Sequence, residues 1–525
     1  MLNQNIEGYQ LSPVQRRLWL LAGMDATEAY LVSATVRLQG SLDKHILQKA
    51  ANAVVQRHEA LRTRFCVLPG MALAVQVIDE NSRVEIEHTR AEEPAPERSI
   101  AVGDSMPQLR SSPPGLQLRL VELDARNHIL EATASALQSD AKSLKVIVEE
   151  MAQIYQCIEA ESSAAPGPAL QYADISQWLN ELAEAKEATI GRKHWTSTGL
   201  RIAESLISIE ECGAFERNKT ETLPVTVTAG LSEHLILGES GGRWRTSEFV
   251  LTAWVVLLHK LGYGSSCMTM SLDGRSDQRL STVVGPLTRY LPLTIQPGRE
   301  QSFLAVMERM KTSCARAAKW QDCFVWELLQ FREDDQTLRH FPFAFDYSVS
   351  ASGQFGHDLS FSITELNGCT DQIGMRLSCF EYKGQLKLKL TWLSHLHSRQ
   401  EADTIAEALA TCLADAIERP GVPIRELNLV DASSAAKLIR NNQDVVIDFA
   451  SCHFVHRQFS EQAATDPQAP AVVSGLQSLT YGELERRSNQ LARYLQEQGV
   501  GPEVCVGLCM ERGVEVIIGL LGILK

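Results

Sequence analysis

The sequence predicts a mixed α/β protein divided into several compact units. Its 525 residues exceed what one hydrophobic core normally serves, so two to four units are expected. Residues 129–135 alternate as a short strand, with Leu130, Ala132 and Ala134 on one face. Residues 142–158 then repeat apolar side chains at the i, i+3, i+4, i+7 spacing of a helix. A third pattern, over residues 41–65, also places its apolar positions on one helical face.

Composition and charge exclude several classes of protein. Hydrophobic content is 44% and charged content 22%, which is ordinary for a soluble globular chain. The formal net charge of −14 argues against a nucleic-acid binder. The most apolar stretches, residues 249–258 and 516–524, are half the ~20 residues of a membrane span and are interpreted as buried core elements. No secretory signal is visible at the N-terminus, so we expect a cytoplasmic protein without a membrane partner.

Cysteine and histidine usage does not favour a metal site. The twelve cysteines are scattered without a CxxC pair, which predicts reduced thiols of the kind found in cytoplasmic cores. His395 and His397 are two residues apart in a polar segment, where surface placement is favoured over metal ligation. His58 is interpreted as a packing residue at a helix terminus.

Six short motifs occur in register along the first 430 residues, and together they carry a family resemblance. They are residues 11–19 (LSPVQRRLW), 57–65 (RHEALRTRF), 172–178 (YADISQW), 284–293 (VGPLTRYLPL), 321–327 (QDCFVWE) and the stretch from 341 (FPF). The second matches RHExLRTxF at every specified position, whereas Arg289 and Tyr290 stand where an Asn or similar residue is usual in the motif at 284–293. The chain resembles the condensation domains of nonribosomal peptide synthetases.

This resemblance implies the fold and the domain boundaries. It implies two α/β lobes of the chloramphenicol-acetyltransferase type, arranged in a V with a tunnel at their junction. The first lobe is expected over residues 8–175 and the second over 176–430, where a helix ends near RPGV at residues 419–422. A linker follows over residues 431–455.

Residues 456–525 resemble the beginning of an adenylation domain. LTYGEL at 479–484 and NQLA at 489–492 are similar to the first core motif of that family, and GILK at 522–525 to the start of the second. The Gly-, Ser- and Thr-rich phosphate loop of the family is absent from this sequence. We therefore expect a truncated adenylation segment, with ATP and Mg needed only in a complete domain.

The loop between the predicted strand and helix departs from the family pattern. Condensation domains carry HHxxxDG here, and this sequence has SALQSDA at 135–141. In the family, the second histidine of this motif orients the attacking amine or accepts its proton. The resemblance places Ala136 at the position of that histidine. Alanine can do neither, and Ser135 needs an adjacent base before it can exchange protons usefully. The catalytic group is therefore unknown, and the degenerate positions are Ser135, Ala136 and Asp140.

Asp140 is interpreted as a structural residue. The resemblance pairs it with the second arginine of RHExLRTxF, here Arg62, and an Asp at a helix start also satisfies free backbone N–H groups. Arg62 and Asp140 are thus expected to form an ion pair. No cofactor-binding or metal-binding residue is predicted in this chain.

Two classes of function remain open. In the first, the domain is catalytically impaired and docks a carrier protein, the adjoining adenylation domain or a tailoring enzyme. In the second, it still joins carrier-bound thioesters by proximity, as a condensation or heterocyclisation enzyme with a non-standard site. Cyclising relatives carry DxxxxDxxS, of which Asp140 and Ser143 match while Ser135 does not. Either class implies phosphopantetheine on a partner peptidyl or aminoacyl carrier protein and no cofactor in this chain.

Overall fold

The protein is described from a computed structural model. It describes residues 8–24, 30–71, 73–90, 115–162, 167–186, 188–205, 207–208, 220–240, 242, 244–263, 268–293, 295–328, 339–350, 358–431, 435, 454–475 and 477–525. The chain divides into two compact units, residues 1–431 and 432–525. Most of the predicted linker, 431–455, lies outside the described residues.

Three sheets organise the described part of the first unit. Its strands are β1 (Tyr9–Gln10), β2 (Leu31–Gly40), β3 (Thr63–Val67), β4 (Ala74–Ile78), β5 (Ile86–Arg90), β6 (Leu116–Glu122), β7 (Asn127–Ser135), β8 (Ile207–Ser208), β9 (Thr220–Val225), β10 (Met268–Leu272), β11 (Arg289–Leu293), β12 (Arg339–Val349), β13 (Leu359–Asn367), β14 (Ile373–Tyr382) and β15 (Gln385–Leu393). The N-terminal sheet has the order β13-β2-β7-β6-β5, and a small sheet has the order β1-β4-β3. The C-terminal sheet has the order β11-β10-β12-β14-β15-β9, with β8 paired to β12.

Nine α-helices in the described part of the first unit cover these sheets. They are α1 (Pro13–Met24), α2 (Lys44–Arg57), α3 (Ala141–Glu159), α4 (Tyr172–Glu184), α5 (Thr189–Ser205), α6 (Ala229–Ser240), α7 (Thr246–Lys260), α8 (Phe303–Lys319) and α9 (Arg399–Glu418). The predicted helix end near residues 419–422 is confirmed, because Arg419 caps the C-terminus of α9.

The predicted strand and helix around the degenerate loop are both confirmed. In β7 every second residue from His128 to Ala134 is buried, so one face of the strand packs into the core. Helix α3 begins after Asp140, whose carboxylate accepts a hydrogen bond from the Ser143 backbone N–H. Its apolar stripe, which includes Leu144, Ile147 and Met151, is buried against the same core.

The helix predicted over residues 41–65 is too long. Helix α2 ends at Arg57, His58 has an extended backbone, and a 3-10 turn covers Glu59–Arg62 before strand β3 begins. Antiparallel pairing of β3 with β4 satisfies this backbone instead. The β-branched Thr63 suits a strand, and this tertiary pairing overrides the local helical pattern.

The first unit has two hydrophobic cores, one for each lobe. The N-terminal core is built mainly from residues before 180, but it also takes Leu280, Leu287, Phe361 and Phe380. The C-terminal core gathers the apolar face of the second sheet and helices α7, α8 and α9. The two-lobed α/β architecture is thus present, and segments from the second half of the chain complete the first lobe.

The described part of the second unit from residue 454 onward contains a hairpin and three helices. They are α10 (Val455–Thr465), β16 (Pro470–Ser474), β17 (Gln477–Thr480), α11 (Tyr481–Glu497) and α12 (Val514–Leu524). Thr480 and Glu483 form a capping box that starts α11, in which side chain and backbone hydrogen bonds are exchanged reciprocally. The predicted LTYGEL motif therefore marks the strand-to-helix turn.

The two most apolar stretches differ in burial. Residues 249–258 lie in α7 and are buried, as predicted. Residues 516–524 form most of α12, but Leu520 and Leu524 are 47% and 52% exposed, so the prediction that this stretch is buried is wrong for those residues. Among the described residues, no helix has both the length and the apolarity needed to cross a bilayer.

Candidate active site at the degenerate loop

The degenerate loop joins β7 to α3 and is closely packed. Ala136 and Leu137 have no exposed surface, and the Ala136 backbone N–H donates to the Tyr30 carbonyl at 2.8 Å. The Ser135 hydroxyl accepts a hydrogen bond from the Leu137 N–H at 3.2 Å. Ser135 is thus bound to backbone rather than to a base that could activate it.

Two glutamines fix the loop to neighbouring elements. The Gln15 amide of α1 donates to the Leu137 carbonyl at 2.9 Å and to the Gln76 side chain at 2.9 Å. The Gln138 amide donates to the Thr63 carbonyl at 2.6 Å. The side chains of these two glutamines and of Gln76 are buried. The loop conformation is therefore determined by satisfied internal hydrogen bonds.

Asp140 connects the two lobes through a buried ion pair with Arg275. The Arg275 guanidinium donates to both carboxylate oxygens, at 2.9 and 3.0 Å. The backbone N–H groups of Leu287 and Thr288 also donate to Asp140, at 3.0 and 2.9 Å. Both charged side chains are only 1% exposed.

These contacts explain the ionisation of Asp140. Burial by itself would raise the pKa of the carboxyl group, but the charge and hydrogen bonds of Arg275 outweigh burial, and those of Ser143 add to them. The pKa of Asp140 is therefore held below its ordinary value. Asp140 is a structural anion here, consistent with the role expected for it.

The predicted ion pair between Arg62 and Asp140 is wrong. Arg62 lies in the 3-10 turn, where its guanidinium approaches Glu59 at 3.9 Å and the Gln56 carbonyl at 3.4 Å. The turn directs the side chain back along its own segment, and Arg275 occupies the position beside Asp140. Sequence reading missed Arg275 because a partner 135 residues away leaves no local pattern.

The RHExLRTxF motif instead connects α2 to α3 through Glu150. The His58 ring approaches the Glu150 carboxylate at 2.6 Å, and Arg57 donates to the same oxygen at 3.1 Å. His58 is 1% exposed, so it is a buried hydrogen-bonded residue at the helix terminus rather than a purely packing one. Burial would raise the pKa of Glu150, but His58 and Arg57 hold it below its usual range.

Three other motifs meet at Tyr172. Its hydroxyl contacts the Ser12 hydroxyl at 2.8 Å and donates to the Pro286 carbonyl at 2.9 Å. The ring also packs on Gly285, where any Cβ would collide with it. The motifs at residues 11–19, 172–178 and 284–293 therefore form one buried contact.

The QDCFVWE motif contributes to a second interlobe contact. The Arg17 guanidinium lies 3.8 Å from the centre of the Trp326 ring and donates to Asp371 at 3.2 Å. The Trp326 indole N–H donates to the other Asp371 oxygen at 3.0 Å. Burial raises the pKa of Asp371 despite the opposing effect of Arg17. Sequence reading did not identify Asp371.

The loop that contains Asp371 covers the start of α3. Gly368 lies so close to this helix that an added Cβ would stand 2.9 Å from the Val32 side chain and 3.3 Å from the Ala141 Cβ. Arg376 donates to the Gly368 carbonyl, and the Thr370 hydroxyl donates to the Thr288 carbonyl at 2.9 Å. We refer to residues 368–372 as the bridge loop.

Next to the bridge loop, the two main sheets turn polar faces toward each other. On the N-terminal sheet, strand pairing places one set of polar residues on the face away from the core: Ser33, Thr35, Glu131, Thr133, Ser135, Glu365 and Asn367. On the C-terminal sheet, the corresponding set is Asp346, Arg376, Ser378, Lys389 and Thr391. Lys389 bonds to Glu365 at 2.7 Å and to Asn367, which joins the two faces. We call the region between them the interlobe space.

The remaining histidines of the sequence analysis, His395 and His397, follow the end of β15. His395 is exposed, and the His397 ring bonds to Glu401 at 2.9 Å. In the described part of the chain, no group of three or more His, Cys, Asp or Glu residues has the arrangement of a metal site. The nine described cysteines form no disulfide with one another.

Two protein-family models match this chain, and together they cover most of its length. The model of the family described as "Condensation domain" matches residues 5–439. The chain belongs to the condensation-domain family. The model described as "AMP-binding enzyme" matches residues 459–525, after the condensation domain. The resemblance to nonribosomal peptide synthetases, stated from the motifs, is confirmed.

Curated relatives are much longer than this chain. Gramicidin S synthase 2 of Brevibacillus brevis is 26% identical over 98% of the chain, and tyrocidine synthase 3 of Brevibacillus parabrevis is 25% identical over 99%. The matches cover 12% and 8% of those relatives. The condensation domain and the segment after it thus span about a tenth of such proteins.

Solved structures show the same fold. The X-domain in complex with OxyB from teicoplanin biosynthesis has a TM-score of 0.63 at 21% identity, covering 82% of this chain and 98% of the X-domain. A four-domain nonribosomal peptide synthetase bound to AMP and glycine has a TM-score of 0.66 at 15% identity, covering 95% of this chain and 40% of that one. The α/β fold class expected from the sequence is confirmed.

Proposed function

We propose that the condensation domain of this chain is catalytically impaired and acts in the cytoplasm as a docking module within a peptide synthetase. Ala136 carries this proposal. It occupies the position of the second histidine on a loop whose strand, helix and aspartate are all present. A methyl group cannot accept the proton of an attacking amine or stabilise the developing charge. Loss of such a group typically costs about 10²–10⁴ in rate.

The packing of the loop supports the same view. Ala136 is fully buried and the Ser135 hydroxyl is bound to a backbone N–H. Asp140 and Arg275 meanwhile form a fully buried pair between the lobes. The groups that maintain the fold are retained while the groups that perform the reaction are replaced.

The heterocyclisation alternative gains no support from Ser143. Its hydroxyl lies 2.6 Å from Asp140, 2.9 Å from the Gly285 carbonyl and 2.9 Å from Arg275. The Gly285 N–H donates to it at 3.0 Å. A hydroxyl with all its hydrogen-bonding capacity engaged is a structural group. The partial DxxxxDxxS match is therefore explained by the interlobe contact.

The proposed partners follow from the domain order and the fold. Carrier proteins bearing phosphopantetheine and the downstream adenylation domain adjoin such a module in the synthetases it resembles. A tailoring enzyme is a further partner, supported by the likeness of this fold to an X-domain whose solved complex contains OxyB. ATP and Mg would be needed only by a complete adenylation domain.

A reconstituted reaction tests the proposal. The full chain is incubated with a loaded donor carrier and an acceptor carrier that an active relative joins, and the products are weighed. We expect carrier binding in a pull-down with purified carriers and no product above the uncatalysed rate. Turnover comparable with the active relative would show that another residue carries the chemistry.

A restored loop provides the matched variant. The substitutions Ser135→His, Ala136→His and Ala141→Gly together replace the missing family residues. We expect this variant to form product above the rate of the natural chain, because position 136 regains an imidazole. The single change Ser135→His is the control and should leave the chain inactive. Equal activity of the natural chain and an active relative would again contradict the proposal.

A further inference from the structure

Residues 504–510 (VCVGLCM) connect α11 to α12 and contain no charged residue and no proline. We call them the 504–510 segment. Within the described ranges, the segment belongs to no helix and pairs with no strand. No hydrogen bond joins the backbone of residues 505–510 to another part of the described chain. Free N–H and C=O groups along an apolar segment are a template on which another strand can form.

One side of the segment lies against the helices of the second unit. Val506, Leu508 and Met510 line an apolar groove together with Leu491 of α11 and Ile518 of α12. These three residues recur every second position, which is the period of an extended chain. The segment therefore has the geometry of a single strand that is supported on one side by helices.

The other side of the segment is open to solvent. Cys505 and Cys509 are exposed thiols, and a Cβ added to Gly507 would meet no atom within 4 Å. Val504 and Met510, at the two ends, are themselves 51% and 54% exposed. A second strand can therefore approach this segment, and pairing with it would cover apolar surface.

The sequence of the segment is self-complementary in an antiparallel arrangement. When Gly507 lies opposite Gly507 of a second copy, Val506 lies opposite Leu508 and Cys505 lies opposite Cys509. Residues that are opposite each other share one side of the ribbon, so the helix-facing sides of the two copies coincide. The missing side chain at Gly507 also removes crowding at the centre of symmetry.

The charges beside the segment are compatible with this pairing. In the same register Glu503 would lie opposite Glu511 of the second copy, which would be unfavourable. Glu503, however, has a φ of 65°, in the left-handed region, so its backbone leaves the strand before that position. The net charge of −14 still repels two copies at long range, and added salt should therefore strengthen their association.

We propose that two copies of this chain associate through antiparallel pairing of their 504–510 segments, centred on Gly507. A pair of seven-residue strands is small beside a standard interface of about 1,600 Å², so the association is weak and depends on concentration. The proposal assigns an interaction surface to the second unit. It is independent of the docking function proposed for the condensation domain.

Sedimentation velocity over a concentration series of the full chain measures the association. We expect the natural chain to shift from monomer to dimer as its concentration rises. Gly507→Asp places two carboxylates directly opposite each other and should weaken dimerisation by about fivefold. Gly501→Asp is the matched control, because it adds the same charge outside the segment and its Cβ also meets no atom within 4 Å. It should dimerise as the natural chain does.

Disulfide cross-linking reports the register. In one extended chain the Cα atoms of Cys505 and Cys509 are about 13 Å apart, beyond the ~7 Å that a disulfide spans, so a bond between these positions joins two copies. After oxidation with diamide, peptide mass spectrometry should detect the 505–509 bond in the natural chain. Cys505→Ser and Cys509→Ser should each lose it, and an equimolar mixture of the two variants should regain it.

Three results would overturn the inference. The first is a natural chain that stays monomeric at every concentration. The second is a dimer that Gly507→Asp leaves unchanged, which would place the interface elsewhere. The third is a pattern of 505–505 and 509–509 bonds, which would indicate parallel pairing and would persist in one or other single variant. Carrier binding by Gly507→Asp should equal that of the natural chain, so loss of dimerisation is distinguished from failure of the docking function.

Discussion

At the scale of single residues, the degenerate loop keeps a buried structural charge, Asp140, but has no catalytic side chain at position 136. Asp140 is fully buried and accepts hydrogen bonds from Arg275 and from two backbone N–H groups across the lobe junction. Ala136, four positions earlier, has no polar atom in its side chain. The same short loop thus carries a strong interlobe contact and an absent catalytic side chain. Because Arg275 and not Arg62 pairs with Asp140, we expect the stability of the first unit to depend more on Arg275 than on Arg62.

We expect Arg275→Met to lower the free energy of unfolding of the first unit by about 3–5 kcal/mol, because it leaves a buried carboxylate unpaired. Arg62→Met, the matched control, should cost less than Arg275→Met, since the contact of Arg62 with Glu59 is 3.9 Å long and Met retains much of the apolar volume of the side chain. Urea unfolding followed by fluorescence measures both. A larger loss of unfolding free energy for Arg62→Met than for Arg275→Met would support the pairing of Arg62 with Asp140 that the sequence predicted.

The pKa of Asp140 gives the direction of a pH effect. A carboxyl group whose pKa is depressed in the folded state stabilises the fold fully above its unfolded pKa, near 3.9, and this stabilisation is lost as pH falls toward the lower folded value. We expect the urea midpoint to fall as pH decreases through 4, and to fall less in Asp140→Asn. Equal slopes in the two proteins would contradict this assignment.

At the scale of elements, the bridge loop determines how closely the second lobe approaches α3. Residues 370–372 are buried, and the Gly368 backbone lies directly against Val32 and Ala141. In the family pattern position 141 is a glycine, so the Ala141 methyl group is an addition to this contact. The loop, the helix start and Arg376 form one packed unit beside the degenerate motif.

Gly368→Ala should therefore destabilise the first unit by about 1–3 kcal/mol through overpacking. Gly421→Ala is the control, because no atom lies within 4 Å of its added Cβ. Combining Gly368→Ala with Ala141→Gly should recover part of the loss, since one of the two neighbours is removed. Thermal unfolding of the natural chain, the three variants above and Ala141→Gly alone checks this, and additive effects of Gly368→Ala and Ala141→Gly would show that the contact is unimportant.

At the scale of the whole molecule, the chain is a condensation domain followed by a short AMP-binding segment. The segment carries the turn and helix of the first adenylation motif, but the Gly-rich loop that binds ATP phosphates does not occur in this sequence.

We predict that this chain alone shows no ATP–pyrophosphate exchange with any of the proteinogenic amino acids. Adenylation requires groups that bind the phosphates and balance the developing charge, and the sequence lacks them. The assay uses the full chain with an intact adenylation domain as positive control. Exchange above background, dependent on a particular amino acid, would refute the prediction.

The sequence revealed those features whose determinants are close together along the chain. The alternation in β7, the apolar stripe of α3 and the Asp140 cap each depend on neighbouring residues, so a single sequence predicts them. Arg275, Asp371 and Asp346 contribute through partners that are 30 or more residues away, and no local pattern identifies them. The end of α2 was misplaced for the same reason, because pairing of β3 with β4 decides it.

Strand β13 has a consequence for synthesis on the ribosome. It is a neighbour of β2 in the N-terminal sheet, and pairs Leu359 with Gly40. Roughly 320 residues are translated between these partners, which takes about 15–65 s at 5–20 residues per second. During that interval β2 is an open edge, able to pair with a second nascent chain. Expression of residues 8–175 alone makes this state permanent, so the N-terminal lobe should be obtained as aggregate unless the β13 segment is supplied as well.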